Sequence, residues 1–462
     1  MTNFFTTGWA KHLALSALLV GETVLAQAQS SDTLNYFYLV ENEPSSLTLE
    51  QAIQGALEKN HDIIIARNEQ EVTRNNATIG NAGFLPRLSL TSGYQHSIND
   101  TYIEFAGEMP PIDRENAQST QLNGAIELTY TLFDGLSRFY TYSRLQELQR
   151  VADAQTQQAI ENTVYQVIST FLEVARLQEE VTINQETVAL SRERLQRVEN
   201  RYLFGGSTKL EVLNAEVDLN TDSVTLAQSR LNYANAQRNL NVFRGQSPST
   251  IFRTQDNFDV NRQLDLEQLL EQSKQGNAAL RLANYNLNAA RLNEKVSQAS
   301  YLPSLNLSGS YGYTKQENDA NFLILQEQLG FTGGVSLNYT LFDGNVRSTQ
   351  AQNATIRAEN QARSLEQTQL AVQRDLLNAY AVYENSLYLL DQERINLETA
   401  QLNFERSESA LQLGQIDATA FRDAQLNLTR ARKRINDLFY QAKQAEARLY
   451  QVAGTLGQDV GE

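Results

Sequence analysis

The chain of 462 residues contains no cysteine. That excludes disulfides, thiolate metal sites, cysteine nucleophiles and a lipid-modified N-terminal cysteine. Histidine is nearly as scarce. Of three, His12 falls in a segment read below as a leader, which leaves His61 and His96. Two imidazoles and one further methionine, Met109, exclude most zinc sites, most hydrolase triads and any soft-metal array. No catalytic residue, cofactor site or metal site is expected. Positive charge is also short: Lys+Arg 38 against Asp+Glu 54 gives a formal net charge of −16, which is ill suited to neutralising phosphates. Nucleic acid is therefore not an expected partner. No apolar run reaches the roughly 18 to 20 residues of a spanning helix.

What is present begins with an export signal. Lys11 and His12 precede the apolar stretch Leu13 to Val20, and Ala26-Gln27-Ala28 offers a small-x-small cleavage site. Lys11 and Glu22 leave together, so the exported chain keeps its net charge of −16.

The chain then repeats itself. Leu47-Thr48-Leu49-Glu50-Gln51 is echoed by Leu264-Asp265-Leu266-Glu267-Gln268, and Phe84-Leu85-Pro86 by Tyr301-Leu302-Pro303, both at an offset of 217. Thr131-Leu132-Phe133-Asp134-Gly135 recurs as Thr340-Leu341-Phe342-Asp343-Gly344 at an offset of 209, as does Gly205 at Gly414. Eight extra residues therefore lie between Pro86 and Thr131. An exposed hairpin loop containing GEMPPID (Gly107 to Asp113) is the expected place, because loops tolerate insertions and packed rods do not.

Each half reads helix, strand, loop, strand, helix, turn, helix. From Gly135 to Phe204 there is no proline, and one heptad position holds Ile160, Val167, Val174, Val181, Val188, Leu195 and Tyr202. The second half matches it with Leu376, Tyr383, Leu390, Leu397, Phe404 and Leu411. A sustained period of 3.5 means coiled-coil packing. The helices Leu47 to Gly83 and Ser207 to Phe243 together approach the length of the long helix, so end-to-end stacking is expected. Asp134 and Asp343 stand where N-caps are expected.

The expected organisation is a signal peptide (1–28), an N-terminal extension (29–46) and a first repeat (47–245) with a hairpin at 86–133, a long helix at 135–204 and a helix at 207–243. A linker (246–263) leads to a second repeat (264–453) with a hairpin at 303–342, a long helix at 344–413 and a helix at 416–452, then a tail (454–462).

The strands point to a membrane. Leu122, Gly124, Ile126, Leu128, Tyr130 and Leu132 alternate with polar or small residues, and Phe331, Gly333, Val335, Leu337, Tyr339 and Leu341 do the same. Alternation over about ten residues is the outer-membrane barrel pattern, although a half-buried soluble sheet shares it. Four strands cannot close a barrel, since the smallest have about eight. Two copies would give eight strands and three would give twelve, and arithmetic does not choose between them.

The order LTLEQA, FLP, TLFDG, a 70-residue heptad helix and a glycine turn, all of it repeated, resembles the TolC family of outer-membrane efflux proteins across essentially the whole exported chain. The resemblance implies a mainly α fold: long antiparallel coiled-coil helices forming an α-barrel tunnel, with four strands per chain in a trimeric twelve-stranded β-barrel. It implies a homotrimer in outer-membrane lipid, an equatorial belt from 246–263 and the tail, and partnership with a periplasmic adaptor (membrane fusion protein) and an inner-membrane transporter. Such a protein is the exit duct of a tripartite efflux pump or a type I secretion system and catalyses nothing. The resemblance also places adaptor docking at Gly205, Gly206, Ser207 and Thr208 and at Gly414, Gln415 and Ile416. Aligned on Gly414, the family's inner acidic ring falls on Asp423 and the outer one on Ala420. The latch positions fall on Ile416, Glu211 and Leu411, with Asp417 as a substitute carboxylate. The rival reading is a trimeric coiled-coil envelope scaffold or surface fibre without a pore. Three copies would bring 3 × −16 = −48 formal charges to a duct, so cation preference is expected of the pore.

Overall fold

The computed structural model describes residues 45–107, 109–255, 258–320 and 323–456. The signal-peptide and N-terminal-extension expectations lie almost wholly outside them. The sequence periods become two kinds of layer. Strands β2 (Arg87–Ile103), β3 (Ile112–Phe133), β5 (Ser304–Asn318) and β6 (Leu325–Asn338) form one antiparallel sheet in the order β2-β3-β5-β6. The long helices are α3 (Ser137–Leu203) and α7 (Val346–Gln412), of 67 residues each, or about 100 Å. Each turns back into a shorter helix, α4 (Lys209–Phe243) or α8 (Ala418–Ala453).

The segment before each hairpin is two helices rather than one. In the first half α1 (Leu49–Lys59) and α2 (His61–Asn76) meet at Asn60; in the second α5 (Leu266–Gly276) and α6 (Ala278–Ala299) meet at Asn277. Both asparagines are extended, which breaks the helix. Each caps the new N-terminus through its side-chain oxygen, Asn60 for Asp62 and Ile63, Asn277 for Ala279 and Leu280. The side-chain amide then donates across a gap, from Asn60 to the Phe243 carbonyl (2.9 Å) and from Asn277 to the Val452 carbonyl (2.8 Å). So α2 abuts the end of α4 and α6 the end of α8, carbonyl end to amide end, a favourable dipole alignment. The stacked helices are α2 on α4 and α6 on α8, shorter than the span from Leu47 to Gly83.

Packing places four rows side by side: α2/α4, α3, α6/α8 and α7. Val167, Phe171, Val174 and Leu240 fill one core; their counterparts in the second half, Leu376, Tyr380, Tyr383 and Leu449, pack in another around Ala442. Over these cores lies the belt: β1 (Ser45–Leu47) paired in parallel with β4 (Phe252–Thr254), α1, α5 and the linker. The linker is held to α8 by Glu446, which accepts from Asn261 N (3.2 Å), and by Lys443, which donates to the Asp259 carbonyl (2.7 Å). Burial raises the Glu446 carboxyl above its ordinary range and pushes the Tyr383 phenol beneath the linker up to about 12. Leu456, from the tail, is buried in the first core.

Two further expectations are corrected. The extra residues lengthen strands more than a loop: β2 and β3 run three pairs past a bulge at Asn99/Thr101, pairing Thr101 to Ile103 with Ile112 to Arg114. Arg114 is tied to Asp319 at the other hairpin's end. Asp134 and Asp343 are not the N-caps; Leu136 and Asn345 are, each with φ 70. The aspartates instead accept from the backbone of Arg138 (3.1 Å) and Arg347 (3.2 Å). Each arginine also bonds a strand carbonyl, Leu132 or Thr340, and covers an aromatic ring, Phe84 or Tyr301, fastening strand to helix.

Two glycines of the same conformation test the stacking joint. Gly414 (φ +69) has open space where a Cβ would stand, whereas a Cβ on Gly454 (φ +76) would overlap the backbone of Gly276. Gly414→Ala is expected to cost about 1 to 2 kcal/mol and Gly454→Ala about 3 kcal/mol or more, read as denaturation midpoints of the purified protein. Equal losses would deny the close approach at the joint.

Candidate functional site at the helical turns

Both turns are built alike. The α3 helix ends with Gly205 (φ +76), whose N–H donates to Tyr202 O (3.0 Å), while Gly206 N donates to Arg201 O (2.7 Å). After α7, Gly414 N bonds Leu411 O (3.1 Å) and Gln415 N bonds Ala410 O (2.9 Å). This is the left-handed glycine stop that satisfies the last carbonyls of a helix. Thr208 then caps α4 by accepting from Glu211 N (3.2 Å), and Asp417 caps α8 by accepting from Ala420 N (2.8 Å). The Ser207 hydroxyl donates to the Glu211 carboxylate. Glu211 and Asp417 thus serve their own turns. Leu203, Phe204 and Leu413 beside the glycines stand out into solvent, Phe204 at 90% exposure.

The other transferred positions separate. Leu411 and Ile416 pack against Phe404, Phe421 and Leu428, an apolar plug within the second hairpin. Asp423 is exposed on α8.

The residue beside it was not singled out by sequence reasoning. Arg422 is buried, and its guanidinium takes both oxygens of Asp222 on α4 at 2.8 Å each, the bidentate geometry that makes a charge pair strong. Asp222 also accepts from the Ser191 hydroxyl on α3. Gln425 donates to Ser191 (3.3 Å), and Arg194 of α3 pairs with Asp218 of α4, whose other oxygen lies 3.7 Å from Arg422 Nε. Six side chains therefore pin α8 to the α3/α4 hairpin. Farther from the turns the same seam carries Arg432 on Glu186, Lys433 near Glu180 (3.9 Å) and Asp437 on Arg176 (2.6 Å). Arg194 and Asp218 are 24 residues apart, but the pairs that reach α8 span 200 residues or more of chain, and no local pattern announces them.

No helix among the described residues is long and apolar enough to cross a membrane, and no group of three or more His, Asp or Glu among them is placed to hold a metal ion.

Residues 52–246 and 269–455 match the outer membrane efflux protein family, one match to each half of the duplication. Outer membrane protein TolC of Vibrio cholerae serotype O1 is 25% identical over 417 residues, covering 88% of this chain and 90% of its own. The crystal structure of the outer membrane protein VceC from Vibrio cholerae superposes with a TM-score of 0.73 at 15% identity, over 88% of this chain and 96% of that one. The CmeC outer membrane channel of Campylobacter jejuni gives 0.72 at 14% identity, over 96% of both.

The network makes its own prediction. Asp222→Ala leaves Arg422 buried without its carboxylate and is expected to cost about 3 to 5 kcal/mol, whereas Asp222→Leu with Arg422→Leu should cost much less than the two singles together. A double-mutant cycle by chemical denaturation reads the coupling. Additive losses would mean that the pair does not form.

Proposed function

The chain belongs to the outer membrane efflux protein family, and from that premise we propose that three copies close a single duct from the periplasm to the exterior. The observation that carries this reading is that each copy is unfinished along both sides. Strands β2 and β6 are sheet edges, and lipid offers no partner for their unpaired N–H and C=O groups, each costing several kcal/mol. Three sheets of four strands joined edge to edge satisfy every group in a twelve-stranded barrel. The outward stripe of β3 from Leu122 to Leu132, at about 3.3 Å per residue and a tilt of about 40°, gives an apolar band about 25 Å tall, the height of an outer-membrane barrel.

The helical rows are unfinished in the same way. On α4, Leu210, Val217, Val224 and Leu231 repeat every seven residues and remain exposed; on α7, Tyr388, Ile395 and Leu402 do so. These rows are the two outer ones of the four, so α4 of one copy would meet α7 of the next and continue the tunnel. The duct acts as the passive outlet of a tripartite pump or type I secretion system and catalyses no reaction. An inner-membrane transporter supplies energy and a periplasmic adaptor joins the two, docking at the turns where Leu203, Phe204 and Leu413 are exposed beside Gly205 and Gly414. At the closed end Asp423 of three copies forms an acidic ring. The Arg422 network holds α8 against α3 and α4 in place of a latch at Ile416, Glu211 and Leu411.

Reconstituted protein is expected to sediment as a trimer in mild detergent and to conduct in planar bilayers, with Arg422→Gln raising the conductance several-fold by releasing α8. Val217→Glu with Val224→Glu should abolish the trimer. A membrane-embedded monomer, or a trimer that never conducts with or without Arg422→Gln, would replace the duct with a scaffold.

A further inference from the structure

We propose that the bore of this duct favours anions, through an arginine stripe on α8, in spite of the chain's formal net charge of −16. The inference rests on the trimeric duct described above. Its starting point is which face of the helical rows is the bore. The belt touches α8 through Tyr440, Lys443 and Glu446, with Phe258, Asp259 and Asn261 as the linker's contacts. At 100° per residue the face half a turn away carries Gln441 and Arg448. A belt on the inside would plug the tunnel, so this opposite face is the inner wall.

That face is sharply defined. From Phe421 to Ala453 the exposed positions of α8 are Asp423, Asn427, Arg430, Arg434, Gln441 and Arg448, spaced by three, four or seven residues in one stripe. Three arginines stand against one aspartate. Arg430 bonds the Asn427 side chain of its own helix (3.1 Å) and, among the described residues, no carboxylate. Arg434 lies 3.4 Å from Glu393 with its side chain 70% exposed. Arg448 bonds Gln451 and covers the Tyr165 ring. The equivalent positions of α4 hold Thr221, Thr225 and Asn239, so the duplication has been made basic on one side only.

Two acids of α7 reach this wall, Glu393 beside Arg434 and Asp375, which pairs with Arg374 and lines a cavity with Gln441 and Arg448. Other acids lie off it. Between Asp259 and Glu271 stand four acids against one arginine, in the belt and the start of α5. Glu180 and Glu186 are occupied by Lys433 and Arg432 at the α3/α8 seam. Up to the bulge at Asn99 the barrel adds no bias: opposite its apolar face, the four strands present serine, threonine, asparagine, glutamine, alanine and glycine, with Arg87 and Glu127 as the charged exceptions; Asp113, Arg114 and Glu115 of β3 lie past the bulge. Three copies thus place nine arginines of α8 against three Asp423 and three Glu393, the Arg374–Asp375 pairs cancelling, in a confined, low-dielectric passage where the sign of the wall charge selects the counter-ion.

Reversal potentials in a KCl gradient test this on the purified trimer. The wild type is expected to favour chloride several-fold over potassium, more strongly below 0.1 M salt, where the Debye length exceeds about 10 Å. Arg430→Gln with Arg434→Gln should bring the ratio to one or below while leaving trimer yield unchanged. A conducting wild-type channel that prefers potassium overturns the inference and leaves the duct standing. Chloride preference unchanged in the double variant also overturns it. Absence of conductance would remove the duct and the inference together.

Discussion

An unpaired strand edge cannot sit in hydrocarbon, and the architecture follows from that constraint. Each copy carries four strands with β2 and β6 open, and the four helical rows below them end in exposed heptads on α4 and α7. Sheet and helices are incomplete along the same two borders because the same chain crosses from one to the other twice, at Asp134–Arg138 and Asp343–Arg347. Closing the sheet obliges the helices to close with it. In the proposed trimer a tunnel is thus the helical consequence of a barrel, and the long uninterrupted helices are what make it long.

The duplication explains what is shared and shows where function has been added. Shared features are structural: the Asn60 and Asn277 joints, the Gly245 and Gly454 approaches, the arginine clasps and the glycine turns all recur. Differences concentrate on α8 and on the first β-hairpin. Arg422 and the stripe of Arg430, Arg434 and Arg448 belong to the second half only, and the lengthened β2/β3 hairpin to the first. Two halves that began alike have become an outer hairpin (α3/α4) and a helix pinned against it (α8).

Much of the fold was legible because its signals are periodic. Heptads marked α3 and α7, alternation marked the strands, and the repeated TLFDG aligned the two halves. The breaks at Asn60 and Asn277 were harder to read, since neither lies beside proline and the reason for each is a carbonyl some 180 residues away. The site was less legible still. Positions transferred by alignment on Gly414 land on Leu411 and Ile416, which fill a local apolar cluster, and on Glu211, which serves its own turn. The Arg422–Asp222 pair lies in neighbouring turns but depends on packing between distant helices, which no heptad records. Net charge is mute for a related reason: −16 says nothing of which face each acid occupies.

The central claim is that β6 of one copy pairs with β2 of the next and that the ring closes at three. A chain without native cysteine allows a direct test. Thr91→Cys on β2, combined in turn with Gly330→Cys, Thr332→Cys and Gly334→Cys on the same inward face of β6, should give a disulfide between copies in membranes for at least one pair. The covalent ladder on a denaturing gel should end at three chains and vanish under reductant. No cross-link for any pair along β6, or a ladder that stops at two or runs past three, would contradict the account.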